Sequence, residues 1–330
     1  MTGARAAVVI PCFNLGRYLD EAVQSALDQT VTDVEIVIVD DGSTDPDTRT
    51  LLDGYARPRT RVLRTTNRGL PAAKNAGIAA TSAQYVCALD ADDRLAPTMI
   101  ERSMAVLDEQ PDLAFVSHWL RTFGEEEAEW TPERCDLPAL LDLNTVNGAA
   151  LVRRAAVDAV GGYDESFRDG CEDWDFWITL VERGYLGTIL PEVLFHYRRR
   201  PDSMSRRMHR ESGHVRLFRR LIEKHADAYG RHVGPLLARR ERDLASTSAH
   251  TRELDALSVW MRAELAGRCD DLVMLQRART EPWRARLAEL TAERDRAVFE
   301  VAALRRSWSW RVTAPLRASL DTIRWLRGTR

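Results

Sequence analysis

Hydrophobic positions in the front of the chain switch repeatedly between two periods. AAVVI (6–10) is a short continuous apolar run, whereas Leu19, Val23, Ala26 and Leu27 of YLDEAVQSALDQ recur at helical spacing. VEIVIVDDGSTD predicts a buried strand ending abruptly in turn chemistry. The alternation continues with a polar helix near 46–56, a strand at RVLRT, a helix within LPAAKNAGIAA and a strand at QYVCALD. A helix over 97–109 and a strand at LAFVSHWL follow. Strands separated by helical crossovers pair in parallel, so the pattern predicts a doubly wound α/β domain with a mostly parallel central sheet covered on both faces.

Residues 121–146 are acidic and irregular and read as a loop over a site, after which NGAALVRRAAV resumes strand then helix. EDWDFWITLVERG predicts an amphipathic helix with Phe176, Trp177, Leu180 and Val181 on its apolar side. The α/β domain is expected to span 1–210, ending near HYRRRPDSMSRR, with a helical extension over 211–304 and a separate tail over 305–330. In the extension Leu287, Leu290, Arg294, Ala297, Val301 and Leu304 alternate steps of three and four. That seam suits a short coiled coil and homodimer, or equally packing on the host domain.

Composition narrows the class. A 45% hydrophobic and 29% charged chain folds, and no apolar run approaches the roughly 18 to 20 residues of a membrane-spanning helix. The N-terminus lacks a secretory cleavage pattern, which predicts a cytoplasmic protein. Five cysteines, never spaced CxxC, argue against a disulfide framework or a zinc ribbon. The net charge of −3 conceals a split: residues 1–195 hold 17 Lys+Arg against 33 Asp+Glu, and residues 196–330 hold 30 against 17. An acidic front suits a cation-dependent site, and a basic back suits a polyanion or membrane contact. Residues 305–330 carry seven Arg and one Asp with Trp308, Trp310 and Trp325, the composition of an interfacial helix on anionic lipid, or of a helix docked on its own domain or a partner.

Acidic clusters sit where an α/β sheet places its ligands, at the carboxyl ends of strands. The Asp40-Asp41-Gly42-Ser43-Thr44-Asp45 turn can hydrogen-bond a base or ribose, though the same residues make an ordinary helix cap. Asp90, Asp92 and Asp93 repel one another, and a hard divalent ion would relieve them and neutralise a diphosphate. Glu172, Asp173 and Asp175 open the EDWDFW helix. They either complement its dipole or aim a carboxylate at an acceptor beside Trp174 and Trp177, whose faces suit carbohydrate when they are not core.

Over about 6–205 the ordered set VVIPCFN, IVIVDDGSTD, NRGLPAAKNAG, LDADD, NGAALV, GGYDESF, CEDWDFW and FHYRRRPDSMS resembles the family 2 glycosyltransferases, which have the GT-A fold and use nucleotide sugars. The resemblance implies that Pro11, Phe13 and Asn14 line the base pocket, that Asp41 faces the uracil or ribose, and that Asn67 lies near the nucleotide. Lys74 stands where the family usually has an arginine reaching the diphosphate or base, keeping the charge without the planar fork. Asp90 and Asp92 form the DxD pair for Mn²⁺ or Mg²⁺, with His196 aligned to a position that approaches the metal in some members. Asp173, with Glu172 beside it, aligns with the general base.

These roles imply an inverting, single-displacement transfer from a nucleotide-diphosphate donor, expected to be a UDP-sugar, to a hydroxyl of a cell-surface glycan or lipid-linked acceptor, with no nucleic-acid partner. The absence of Q-x-x-R-W argues against a processive synthase. Two alternatives stay open: a nucleotidyltransferase, which would want a Gly-rich basic phosphate loop after the first strand, and a non-catalytic nucleotide-sugar-binding scaffold.

Overall fold

The computed structural model describes residues 4–204, 213–267 and 276–306. The chain divides into two compact units, Met1–Gly230 and Arg231–Arg330. The basic, tryptophan-bearing tail expected over 305–330 falls outside the described residues from 307 onward.

In the first unit, β1 (Ala6–Cys12), β2 (Val34–Asp41), β3 (Thr60–Thr65) and β4 (Tyr85–Ala88) alternate with α1 (Gly16–Leu27), α2 (Pro46–Asp53) and α3 (Leu70–Ala79). Then come β5 (Arg94–Leu95), α4 (Met99–Glu109), β6 (Leu113–Gly124), β7 (Glu129–Trp130), α5 (Leu137–Asp142), β8 (Leu151–Arg153), α6 (Arg154–Val160), α7 (Glu172–Glu182), β9 (Leu186–Arg199) and α8 (Gly213–Lys224). The sheet order is β3-β2-β1-β4-β8-β6-β9-β5, with β7 hairpinned onto β6. Strands β1, β2, β3, β4, β6 and β9 all run one way. Only the short strands β5, β7 and β8 oppose their neighbours, so the sheet is mixed and mostly parallel, as the alternation predicted.

Period-2 alternation assigns the two faces of the sheet. Ala6, Val8, Ile10 and Cys12 of β1 join Leu19, Ala22 and Val23 of α1 and Met99 and Ile100 of α4 in one core. Val9 and Val39 point the other way, where α3 lies so close that a Cβ on Gly77 would fall 2.2 Å from Val9 Cγ1 and 2.9 Å from Val39 Cγ2. We therefore expect Gly77→Ala to destabilise the unit by about 1–3 kcal/mol, as overpacking does. Urea unfolding checks this, and an unchanged midpoint would contradict the close approach.

The stretch 121–146 is more regular than its composition suggested. β6 runs on to Gly124 and pairs with β7, and Asp136 caps α5 by accepting from the Ala139 N–H, with Pro138 in the first turn. β9 was not legible as a long strand because Pro191 interrupts it. The ladder steps from His118–Leu190 to Trp119–Val193, bulging past the residue that has no N–H. Beyond 210 the described chain is helical: α8, α9 (Ala226–Gly267) and α10 (Gln276–Arg306). On α10, Leu290 and Ala297 of the predicted seam are buried, with Leu287 packed on Leu290, whereas Val298 and Phe299 are exposed.

Candidate active site

The carboxyl ends of β1, β2 and β4, the first turn of α7 and the end of β9 meet at one edge of the sheet. Pro11 is buried in β1, and Phe13 just beyond it is 42% exposed. Asn14 has φ 56°, a left-handed value that asparagine tolerates, and this turns its amide onto the neighbouring loop. Its Oδ1 accepts from the N–H groups of Thr44 (2.7 Å) and Asp45 (2.8 Å), and its own N–H donates to Ser43 Oγ (3.1 Å). Asn14 thus welds the β1 loop to the β2 turn, leaving Phe13 as the exposed apolar face there.

Asp41 is buried and accepts from the N–H groups of Arg68 (3.0 Å) and Gly69 (2.9 Å), which fixes the loop that carries Asn67. Gly42 makes this possible: at φ 70° it approaches so closely that a Cβ would lie 2.8 Å from the Asn67 nitrogen. Asn67 itself is exposed, and its Oδ1 accepts from Arg168.

Four charged groups lie together beneath this surface. Lys74 on α3 is buried, and its Nζ donates to Glu172 Oε1 at 2.8 Å. Burial opposes its charge, but Glu172, Asp90 and Asp173 outweigh that and hold its pKa well above the usual lysine value. Asp90 Oδ1 is buried without a hydrogen-bond partner among the described residues. Burial raises the Asp90 pKa to about 6, Lys74 opposes the rise, and Asp92 and Glu172 add to it. Asp173 is raised to about 7, chiefly by burial and then by Glu172, against the pull of Lys74. Its Oδ1 accepts from the Trp174 N–H (2.7 Å) and its Oδ2 from Asn144 Nδ2 (3.3 Å). Space remains beside that Oδ2. A Cβ at Gly148 would sit 3.7 Å from it and meet no other described atom within 4 Å.

At the end of β4, Asp93 is buried and accepts from the Arg198 N–H at 2.7 Å; burial and the two neighbouring aspartates push its pKa well up. Asp92 is held by Arg200, with Nε 2.5 Å from Oδ2. The side chain on Asp92 is therefore Arg200 and not His196. His196 lies in β9, in register with Arg94 of β5 and Arg121 of β6, and burial followed by those two arginines depresses its pKa. Among the described residues no group of three or more His, Cys, Asp or Glu is arranged to hold a metal.

The two tryptophans do not form a carbohydrate platform. Trp174 Nε1 donates to Leu140 O (2.6 Å) and its ring packs on Phe218 of α8, while Trp177 is fully buried against Phe115 and Phe176. Several residues with no sequence-assigned role shape the site. Arg200 lay unremarked within RRRP, and a cation facing three aspartates was the available signal. Asn75 holds Tyr163 at both backbone groups, at 2.8 Å each. Lys224 (2.7 Å) and His225 (3.1 Å) both hold Asp175, which ties α8 and the residue after it to the helix bearing Asp173.

Residues 7–163 match the family model described as glycosyl transferase family 2. The chain is 38% identical over 121 residues to chondroitin synthase of Escherichia coli, covering 36% of this chain and 18% of that protein. It is 42% identical over 98 residues to the glycosyltransferase GlyG of Streptococcus pneumoniae, covering 29% and 32%. The match thus spans no more than a third of either relative. Among solved structures, S. aureus TarS 1-349 in complex with UDP-GlcNAc superposes with a TM-score of 0.52 at 19% identity, covering 61% of this chain and 60% of that one, which is a likeness of fold. The fold is GT-A, and residues 7–163 of this chain are similar to the family 2 glycosyl transferases.

Proposed function

We propose that the protein moves a sugar from a nucleotide diphosphate donor, a UDP-sugar, to an acceptor hydroxyl with inversion, one sugar at a time. The observation that carries this reading is the pairing of Asp173, raised to about 7 with open space beside Oδ2, with the Asp90–Asp92 pair across the buried Lys74–Glu172 bridge. A hydroxyl is a poor nucleophile near neutral pH, and a carboxylate with a pKa near the working pH is suited to take its proton. Phe13 offers an apolar face to a base, and the loop braced by Asp41 carries the exposed Asn67.

The residues fit a divalent cation in the way that nucleotide enzymes commonly hold one, through one or two carboxylates with substrate phosphates completing the shell. Asp90 has a buried oxygen without a partner among the described residues, and Asp92 has Oδ1 beside the oxygen given to Arg200. Mn²⁺ or Mg²⁺ there would supply charge neutralisation at the leaving diphosphate. Lys74 does not reach outward: its ammonium is spent on Glu172, so its part is to hold three carboxylates together and keep Asp173 able to ionise. Asn144 orients the carboxylate of Asp173.

The acceptor is read as a glycan or lipid-linked hydroxyl, and the basic tail as a contact with an anionic membrane surface on the strength of its sequence alone. Among the described residues no helix is long and apolar enough to cross a membrane. Calorimetry with UDP and Mn²⁺ tests the donor site. We expect Asp92→Ala to abolish metal-dependent UDP affinity, and affinity equal to wild type would remove Asp92 from the donor site.

A further inference from the structure

We propose that Arg200 is a resident cation of Asp92 that competes with the metal and, once displaced, grips the donor's diphosphate. The inference rests on the donor reading above and adds to it a partner exchange by a residue that no sequence motif singled out.

The geometry is specific. Arg200 and Asp92 are each only 12% exposed in their side chains, and Nε lies 2.5 Å from Oδ2. The remaining contacts of the guanidinium are weaker. Nη1 meets Asp202 at 3.0 Å, a carboxylate 60% exposed and therefore well screened, and the group lies 5.6 Å from the Tyr18 ring centroid. Nη2 has no partner among the described residues. Arg200 also follows the end of β9 directly, one residue past the strand and two past Arg198, whose N–H and Nε are fixed to Asp93 Oδ1 and the Asp92 carbonyl. The backbone beside Arg200 is thus anchored at the aspartates while its own side chain has one strong tie to give up.

Charge supplies the rest. With no donor bound, Asp90, Asp92 and Asp93 crowd within four residues, and Arg200 offsets Asp92. A second cation arriving at Asp92 is repelled by the guanidinium already there, so Arg200 weakens metal binding to the donor-free protein. A diphosphate brings negative charge to the same place, and the fork of a guanidinium matches phosphate oxygens bidentately. Arg200 then exchanges one oxyanion for another, Asp92 is freed toward the metal, and metal and diphosphate each favour the other's binding.

The test is calorimetry on the full chain with Arg200→Gln and Arg200→Lys, using Mn²⁺ alone and then UDP at saturating Mn²⁺. We expect Arg200→Gln to tighten Mn²⁺ about threefold or more while weakening UDP about tenfold or more. Arg200→Lys, which keeps the charge and loses the fork, should leave Mn²⁺ near wild type and weaken UDP. A purely structural arginine would weaken both ligands on removal, so opposite signs are the signature. Mn²⁺ affinity unchanged or weaker in Arg200→Gln would overturn the competition. If the wild type fails to bind UDP at saturating Mn²⁺, the donor reading falls together with the diphosphate half of the proposal, and the Mn²⁺ arm still decides the competition.

Discussion

Asp173→Asn is expected to lower kcat by a factor of about 10² to 10⁴, the usual worth of a general base, while leaving donor affinity unchanged. The amide fills the same volume and its oxygen can keep the Trp174 N–H, while the 3.3 Å bond that Asn144 gives to the second oxygen is lost, so the change is chiefly one of basicity and not of shape. The same carboxylate sets a pH dependence. Its pKa is raised to about 7, chiefly by burial, and the base works only when ionised. The wild-type kcat/KM should therefore climb about tenfold per pH unit below 7 and level off above it. In Asp173→Asn that limb should vanish. A variant that turned over normally would move the base elsewhere, with Glu172 the neighbouring candidate.

Lys74→Met has the second large effect, and it falls on stability. The ammonium is the buried partner of Glu172, with side chains 3% and 7% exposed. Removing one member of such a pair strands the other, at a cost of about 3–5 kcal/mol. Urea unfolding at neutral pH reads this directly, and a loss below about 1 kcal/mol would show that the pair is not needed. In whatever fraction stays folded, Asp173 loses the cation that draws its pKa down, so the acid limb of the rate profile should move to higher pH.

These two residues illustrate what the sequence disclosed. Strand–helix alternation placed β1 to β4 and α1 to α4 because their periods are set by burial on the two sheet faces, which a single chain displays. Asp173 and Asp90 were legible as acids at strand and helix ends. Their shared environment was not, because Lys74, Glu172, Asp90 and Asp173 come from three separated segments and meet only in the fold. Lys74 aligns with an arginine that reaches the nucleotide, and the fold buries it with its Nζ donating to Glu172. His196 and Arg200 are four residues apart, and sequence could not say which of them meets Asp92. Strand pairing decides it, since the register that sets His196 between Arg94 and Arg121 carries Arg200 past the end of β9 to the aspartates. Trp174 and Trp177 looked suited to sugar by composition alone, and α8 and β6 cover them.

The most direct measurement of the central claim is nucleoside diphosphate release from a panel of nucleotide sugars, with wild type and Asp173→Asn side by side. A glycosyl transferase using Asp173 as its base releases nucleoside diphosphate from at least one donor, with formation of a glycoside of inverted configuration, and the variant releases about 10² to 10⁴ times less. Release at equal rates by both folded proteins, or from no donor by either, would contradict the account.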